Sequence, residues 1–505
     1  MYQFFRDRPF LVLLIIASNI ALSFWAYWLD PVINNDGVTY LALADMISEG
    51  NWRSALDYYS WPFYSAFIAG TAWLTQLNVE HSAYLLNTVF LISLTWAFIS
   101  IVADLSNDDR RIIIIAMLII LAFPSITKYR AFIIRDFGYL SCYLWSLFFL
   151  FRYCRNSENK NLVIWLVFAS CSCLFRFEGV AFLILTPYFL YLFKAQKTQQ
   201  QKIYAVLLTI AVAATAMSLM FWYINDKYAA AIELARREGE DMHNVFDLFL
   251  ANTKAKLGGD DLSIWSYLIV ILSNFTNVIY ELLRRMGFFY LIFAVYAYYK
   301  TFGLAHLLCR RMWLVYVLSN IGMLVVFSLY NTFLASRYTM ASALTLLILA
   351  PFVVDRIIDG FSYIRGWKKL LSGIAIIVLV LVSIEGLDVR TNKRHIRTAA
   401  DWMSQNLPPD ATIYSNNRVL VHYTQQITKN KLDHAYDNLQ LYYYLNHGIL
   451  REFDYIALSY NEKNKAEDTY RQTLAFKFGK AINITSGGNG QHVLVFELPN
   501  AKKST

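Results

Sequence analysis

Long apolar stretches separated by short polar ones set the pattern of this chain. They fall near 10–29, 81–103, 112–127, 137–153, 162–175, 178–194, 203–224, 285–300, 312–330, 338–354 and 370–387. A helix of roughly 17–25 apolar residues crosses a hydrocarbon layer of about 30 Å. The shorter runs reach that length by tilting or by recruiting their flanks. The pattern predicts an α-helical polytopic membrane protein with about eleven transmembrane helices. Between the first two runs, in segment 30–80, the period becomes that of shorter amphipathic helices. From Val38 to Glu49, residues Tyr40, Leu43, Ala44 and Ile47 share one face, and Gly50 suits a stop. A second apolar helix is expected from Pro62 to Leu77, with proline in its first turn. Both suit helices lying on a membrane surface.

Beyond the last run the pattern changes again. A helix is expected over Thr398–Asn406, stopped by Pro408 and Pro409. Strand-like runs follow at 412–415, 454–459 and 492–498, with helical stretches such as 461–477 between them. Strands alternating with helices predict a small C-terminal α/β domain over 388–505, outside the membrane domain of 1–387. Segment 225–284 mixes a charged stretch (233–243), a Gly258-Gly259-Asp260-Asp261 turn and an apolar stretch from Leu262 to Ile279. That last stretch is either a surface helix or part of a span. The loop is either a solvated connector or a substrate lid.

Composition supports the membrane reading. The 505 residues are 57% hydrophobic and only 16% charged, with mean hydropathy +0.39, whereas soluble domains carry about 25% charge. The first run is too long for a signal-peptide core and no small-residue cleavage site follows it, so it reads as a retained helix. The net charge of +9 does not point to nucleic acid. Basic residues gather at every second boundary: Arg6 and Arg8; Arg110 and Arg111; Arg152, Arg155 and Lys160; Lys194, Lys197 and Lys202; Lys300, Arg310 and Arg311; Arg356, Arg365, Lys368 and Lys369. Under the positive-inside rule these loops are cytoplasmic. The N-terminus is then cytoplasmic and the C-terminal domain extracytosolic. Of the five cysteines, Cys142, Cys171 and Cys173 lie within spans and Cys154 and Cys309 in cytoplasmic loops, so the tail has no disulfide framework. Basic composition and that cysteine usage lean towards a bacterial inner membrane.

Candidate chemistry sits at the outward helix mouths. Asp36, in NNDGVTY (34–40), follows the first run, and Asp136 opens the fourth. Carboxylates near a membrane are costly enough to need a role, and both fall on the same side, where they are expected to share one cavity. Asp36 before Gly37 and Val38 also suits a helix cap. Asp136 also suits an ion pair with Arg135 or Arg130. Lys128, Arg130 and Arg135 run against the positive-inside trend, as do Arg176, beside Glu178, and Arg337. Arg176 and Glu178 also suit a plain structural pair. Outward cations near carboxylates fit a phosphate-bearing lipid head group, since arginine grips phosphate oxygens bidentately.

These features resemble the C-type (GT-C) glycosyltransferases, integral membrane enzymes that use polyprenyl-phosphate sugars. The likeness is to the branch of protein O-mannosyltransferases and lipid A aminoarabinose transferases. It covers essentially the whole chain on short motifs: Asp36 after the first helix, Tyr40 on a surface helix, and Trp61-Pro62-Phe63-Tyr64. Pro124, Tyr129, Arg130, Arg135 and Asp136 match the second outward loop, and Arg337-Tyr338 a late helix start. The tail 401–417 looks like the family's extracytosolic domain. One departure stands out. Family members often carry paired acids after the first helix, whereas Asp36 has Asn34, Asn35 and Gly37 around it. Two scattered carboxylates make no recognisable metal site, so no metal ligands are assigned and a divalent cation is left open.

The resemblance implies a reaction. Asp36 would act as general base towards an acceptor hydroxyl or amine, and Asp136 would orient the acceptor or hold the basic groups. Arg337, aided by Arg135, Arg130 or Lys128, would stabilise the departing polyprenyl phosphate. Tyr40, Tyr64, Tyr338, Arg176 and Glu178 would contact substrate. The expected partners are a polyprenyl-phosphate-linked sugar, a lipid, glycan or protein acceptor, and the bilayer. Two other readings stay open: a transporter or flippase of a lipid or solute, and an O-antigen-type polymerase or ligase. Against transport stand the absence of an internal repeat and of matched broken helices.

Overall fold

The structure, a computed structural model, describes residues 9–193, 264–330, 334–360, 393–408, 411–428 and 453–499, with isolated positions at 373, 374 and 377. The expected span 203–224, the charged stretch 233–243, the turn 258–261 and almost all of the run 370–387 lie outside them. The chain divides into two compact units. The first gathers 1–21, 46–129 and 135–388, and the second 22–45, 130–134 and 389–505.

Within the described residues, the apolar runs are helical. In chain order these are α1 (Pro9–Leu29), α2 (Asn35–Ser48), α3 (Trp52–Tyr58), α4 (Phe63–Thr75), α5 (Val79–Leu105), α6 (Arg110–Leu121), α7 (Pro124–Thr127), α8 (Asp136–Asn156), α9 (Asn159–Phe175) and α10 (Gly179–Phe193). After the gap come α11 (Ile264–Met286), α12 (Phe288–Tyr299), α13 (Leu307–Tyr330), a 3-10 turn (Ser336–Thr339), α14 (Met340–Leu347) and α15 (Ala350–Gly360). Among the described residues, four segments are long and apolar enough to cross a membrane: Pro9–Leu29, Val79–Leu105, Arg110–Thr127 and Leu307–Ser328. The pair 336–347 and 350–360, bent by 49°, makes a fifth if counted as one span. The helices α9, α10 and α12 are apolar but shorter. The apolar stretch whose role was open continues, from Ile264, into α11. The short helix α3 has no counterpart in the sequence pattern. On the first helix Phe10, Leu13, Ile20, Phe24, Trp25 and Trp28 are all exposed, as a face turned to lipid requires.

Polar residues set the helix ends. The Asn78 side chain accepts the His81 N–H at 2.8 Å and opens α5. Asp109 accepts from Arg111 N–H (2.9 Å) and Ile112 N–H (3.3 Å) at the start of α6. Within the first unit, α8 packs along α9 and α5, and α9 along α10. Lipid tails are as apolar as leucine, so this packing depends on close fit and small residues. A Cβ on Gly138 would lie 2.6 Å from the Phe175 ring, and one on Gly179 would lie 2.5 Å from Ser172 Oγ. Both glycines let α8, α9 and α10 close on one another.

The two ends of α8 differ in kind. Its 21 residues span about 31 Å at 1.5 Å each, the depth of a bilayer core. Asp136 stands at one end. At the other, Arg155 pairs with Asp104 of α5 at 2.8 Å. Arg111 at the start of α6 pairs with Asp355 (2.6 Å) and Asp359 (3.2 Å) of α15.

The second unit contains α16 (Arg394–Asn406), β1 (Ile413–Ser415), α17 (Arg418–Thr428), β2 (Tyr455–Asn461), α18 (Lys465–Phe478), β3 (Asn483–Ser486) and β4 (Gln491–Glu497). The sheet order is β1-β2-β4-β3, with β1 parallel to β2 and the other pairs antiparallel. The strands β1, β2 and β4 fall on the three strand-like runs; β3, on the edge, is additional. Tyr414, Phe453, Ile456, Leu458, Leu474, Leu494, Phe496 and Leu498 form the core of this sheet. The Asp454 carboxylate accepts from both the N–H (2.8 Å) and the hydroxyl (2.9 Å) of Thr412, which fixes the parallel register. Arg394 reaches the Trp28 carbonyl at 2.7 Å, tying α16 to the end of α1.

Candidate functional site

A cavity in the first unit gathers groups from four places in the sequence: Asp136 in the first turn of α8, Arg176 and Glu178 in the α9–α10 turn, Arg337 and Tyr338 in the 3-10 turn, and Asn320 on α13. Tyr139, Leu140, Met323, Leu324, Phe327 and Ala341 complete its lining. The lining therefore combines charged side chains with apolar ones.

Arg176 is the hub. Its Nη1 donates to the Asp136 carboxylate, and Nε and Nη2 donate to Glu178. The side chains of Arg176 and Asp136 are only 7% and 6% exposed, whereas Glu178 is 31% exposed. Two buried opposite charges with this geometry satisfy each other, and removing one strands its partner. Burial works to raise the Glu178 carboxyl; the Arg176 guanidinium, with a smaller push from Arg135, brings it below the usual glutamate range. The Arg176 guanidinium also lies 4.4 Å from the centre of the Tyr338 ring and 5.8 Å from that of Tyr139. Tyr338 in turn carries Arg337 at 5.5 Å and is braced by Phe327 at 4.7 Å. The sequence pattern paired Arg176 with Glu178 alone. The structure adds Asp136, forty residues earlier in the chain.

Local structure explains the placement. Gly179 lets α10 turn tightly back on α9, which points Arg176 and Glu178 towards α8. Phe175, just before Arg176, fills the notch over Gly138 and is wedged against Phe67 (5.4 Å) and Phe90 (5.2 Å). On α13, Asn320 donates both amide hydrogens, one to Tyr143 Oη (2.8 Å) and one to the Tyr316 carbonyl (2.7 Å).

Of the candidate residues, eight belong to the first unit and three to the second. Asp136, Arg176, Glu178, Arg337 and Tyr338 line the cavity. Lys128 stands over the Tyr129 ring at 5.3 Å, and the Tyr129 hydroxyl is hydrogen-bonded to Ser336, the residue before Arg337. Arg135 flanks the start of α8. Tyr64 is 1% exposed and donates to Asn87 Oδ1 at 2.8 Å, away from the cavity lining. Asn320 and Tyr139 escaped the sequence pattern. A lone amide in the apolar run 312–330 and a tyrosine one turn beyond Asp136 were the signals that could have found them.

The second unit holds Asp36, Tyr40 and Arg130. Asp36 lies half-buried in the first turn of α2, past the cap position, where the helix N-terminus favours a carboxylate. The Asn34 side chain accepts the Ile133 N–H (2.8 Å) and donates to the Ile133 carbonyl (3.3 Å), pinning segment 130–134 against α2. Gly37 allows that approach, since a Cβ there would lie 3.2 Å from Ile133 Cβ. Tyr40 is buried with Leu43, Ala44 and Ile47, the face expected of α2. Arg130 is 4% exposed and donates to Ser23 Oγ at 3.2 Å; burial pulls its guanidinium down to about 10. Among the described residues, no group of three or more His, Cys, Asp or Glu side chains is placed to hold a metal ion.

No family model matches the chain, and no curated protein matches its sequence. Solved structures do match. ArnT from Cupriavidus metallidurans, solved bound to undecaprenyl phosphate, superposes with a TM-score of 0.54 at 12% identity, over 98% of this chain and 100% of ArnT. The Archaeoglobus fulgidus oligosaccharyltransferase, solved tethered to an acceptor peptide containing the NVT sequon, gives 0.53 at 10% identity, over 97% of this chain and 74% of that one. The likeness is one of fold. Both are GT-C glycosyltransferases, and this chain has a GT-C-type fold.

Proposed function

We propose that this chain is an inverting membrane glycosyltransferase, moving a sugar from a polyprenyl-phosphate donor to a lipid, glycan or protein acceptor on the outer face. The observation that carries the reading is the cavity of the first unit, which Arg337 lines together with the apolar Leu140, Met323, Leu324 and Phe327. A lipid-borne phosphate needs both surfaces, a cation for its oxygens and a greasy wall for its first isoprene units. The GT-C-type fold supports it. So do a neighbour solved with undecaprenyl phosphate and another with an acceptor peptide, in keeping with a lipid-linked donor and a separate acceptor.

In this reading Asp36 takes the proton of the acceptor hydroxyl or amine as its lone pair bonds to the anomeric carbon. The bond from that carbon to the phosphate oxygen breaks on the opposite face, and the electron pair leaves with the phosphate. Arg337 stabilises the growing charge, and Lys128 and Arg135, in the same unit, supply further positive potential. Asp136, buried and paired, holds Arg176 in place. The orientation follows from α8: the positive-inside rule assigns its Arg152 and Arg155 end to the cytoplasm and the Asp136 end to the outside of a bacterial inner membrane.

The test uses purified full-length protein in detergent, a panel of undecaprenyl-phosphate-linked sugars and envelope lipids as acceptors. Mass spectrometry should detect released undecaprenyl phosphate together with a sugar-bearing acceptor. Turnover of diphosphate-linked glycans alone would instead make it a polymerase or ligase. Movement of lipid or solute across liposomes without glycosyl product would make it a transporter.

A further inference from the structure

Arg176 was expected to contact substrate, yet three of its N–H groups are already committed to carboxylates. Formal charge makes the arrangement more specific. Among the cavity-lining residues Asp136, Glu178 and Arg176 sum to −1, and Arg337 brings that sum to zero. Two guanidiniums share the Tyr338 ring, Arg176 at 4.4 Å and Arg337 at 5.5 Å. Like charges this close repel in a low-dielectric site unless one is neutralised, and the two carboxylates neutralise Arg176.

From this geometry, and resting on the donor-phosphate role given above to Arg337, we infer that Arg176 is a positioning residue. It acts through Tyr338 to keep the Arg337 guanidinium turned towards the cavity. It does so in two ways. Its flat cation fixes the Tyr338 ring on which Arg337 lies, by cation–π attraction on a desolvated face. It also occupies Asp136 and Glu178, which would otherwise draw Arg337 to themselves and away from an incoming phosphate. Arg176 is thus a guard for the phosphate-binding cation.

A positioning role for Arg176 predicts rescue, which a packing role does not. Arg176→Met leaves Asp136 and Glu178, together −2, without the guanidinium that pairs them, in the cavity that Arg337 also lines. Adding Glu178→Gln, which keeps the side-chain shape, returns the set to one carboxylate and one guanidinium. Sugar-free undecaprenyl phosphate is the probe, its dissociation constant measured on full-length protein in detergent that elutes as a single species. Arg337→Ala should weaken binding about 10–100-fold, the value of a charge-assisted hydrogen-bond donor. Arg176→Met should weaken it by a comparable factor, and Arg176→Met/Glu178→Gln should recover at least half of that loss on a logarithmic scale. Arg176→Lys, with charge kept but the fork and flat face lost, should fall between wild type and Arg176→Met.

The outcomes separate two failures. If wild type binds and Arg337→Ala weakens binding, but Arg176→Met does not, the positioning role is wrong. It is also wrong if the double variant binds no better than Arg176→Met. If Arg337→Ala binds as well as wild type, the donor-phosphate reading itself fails.

Discussion

Gly138→Ala is a one-methyl change with a calculable consequence. The added Cβ would lie 2.6 Å from two carbons of the Phe175 ring and 2.9 Å from a third. Ordinary carbon contacts begin near 3.5 Å, so the ring must retreat by about 1 Å. It has nowhere to go: Phe175 is 3% exposed, stacked on Phe67 at 5.4 Å and edge-on to Phe90 at 5.2 Å. Alanine gains about 0.5–1 kcal/mol over glycine within a helix, whereas overpacking costs about 1–3 kcal/mol. A net loss of about 1–2 kcal/mol is expected. Because Phe175 precedes Arg176, the displacement passes to the ion-paired cluster, and a shift of about 1 Å at a reacting site costs on the order of 10²-fold in rate. The assay compares thermal midpoints in detergent, and then transferase rates, of Gly138→Ala and Gly70→Ala. Gly70 lies exposed on α4 with nothing within 4 Å of its Cβ position. The control should match wild type or exceed it slightly. A Gly138→Ala protein as stable and active as that control would refute the close-packing account of α8 and α9.

Further expectations concern the second unit. Asp36→Asn should insert normally and lose on the order of 10²–10⁴ in transfer rate; near-full activity would remove Asp36 as the base. Asn34→Ala deletes both side-chain bonds to Ile133 and should destabilise by about 1–3 kcal/mol. Proteolysis of the loop around 130–134 should then accelerate, and an unchanged cleavage rate would contradict the pinning role. Burial pulls the His422 imidazole down to about 4. Between pH 6.5 and about 4 the unfolded chain therefore binds a proton that the folded one refuses. Stability is complete above pH 6.5 and falls as the pH drops through that window, by at most about 3 kcal/mol. His422→Gln should flatten part of the acid loss of thermal stability, and parallel profiles for the two proteins would count against it.

What the sequence alone determined here is everything that repeats along a single segment. Apolar runs gave α5, α6, α8, α9, α10 and α13 nearly to their ends, because a backbone in lipid must satisfy its own hydrogen bonds within the segment. The face of α2 was legible for the same reason: Tyr40, Leu43, Ala44 and Ile47 recur at helical spacing and are buried. Asp136 and Arg337 could be singled out because charge beside an apolar run is conspicuous. The edge strand β3 and the short helix α3 were not legible, being too short to show a period. Nor was the choice of partners. Nothing local to Arg176 distinguishes Glu178, two residues on, from Asp136, forty residues back, as the acid that holds it. Nothing local to Tyr64 shows that its hydroxyl donates to Asn87 on another helix. Tertiary structure decided these matters because an ion pair, a ring stacked on two guanidiniums or a glycine notch needs helices far apart in sequence to meet. Helical periodicity fixes which face a helix buries, but which helix covers that face depends on shape fit between the two, and that is written in no single stretch of chain.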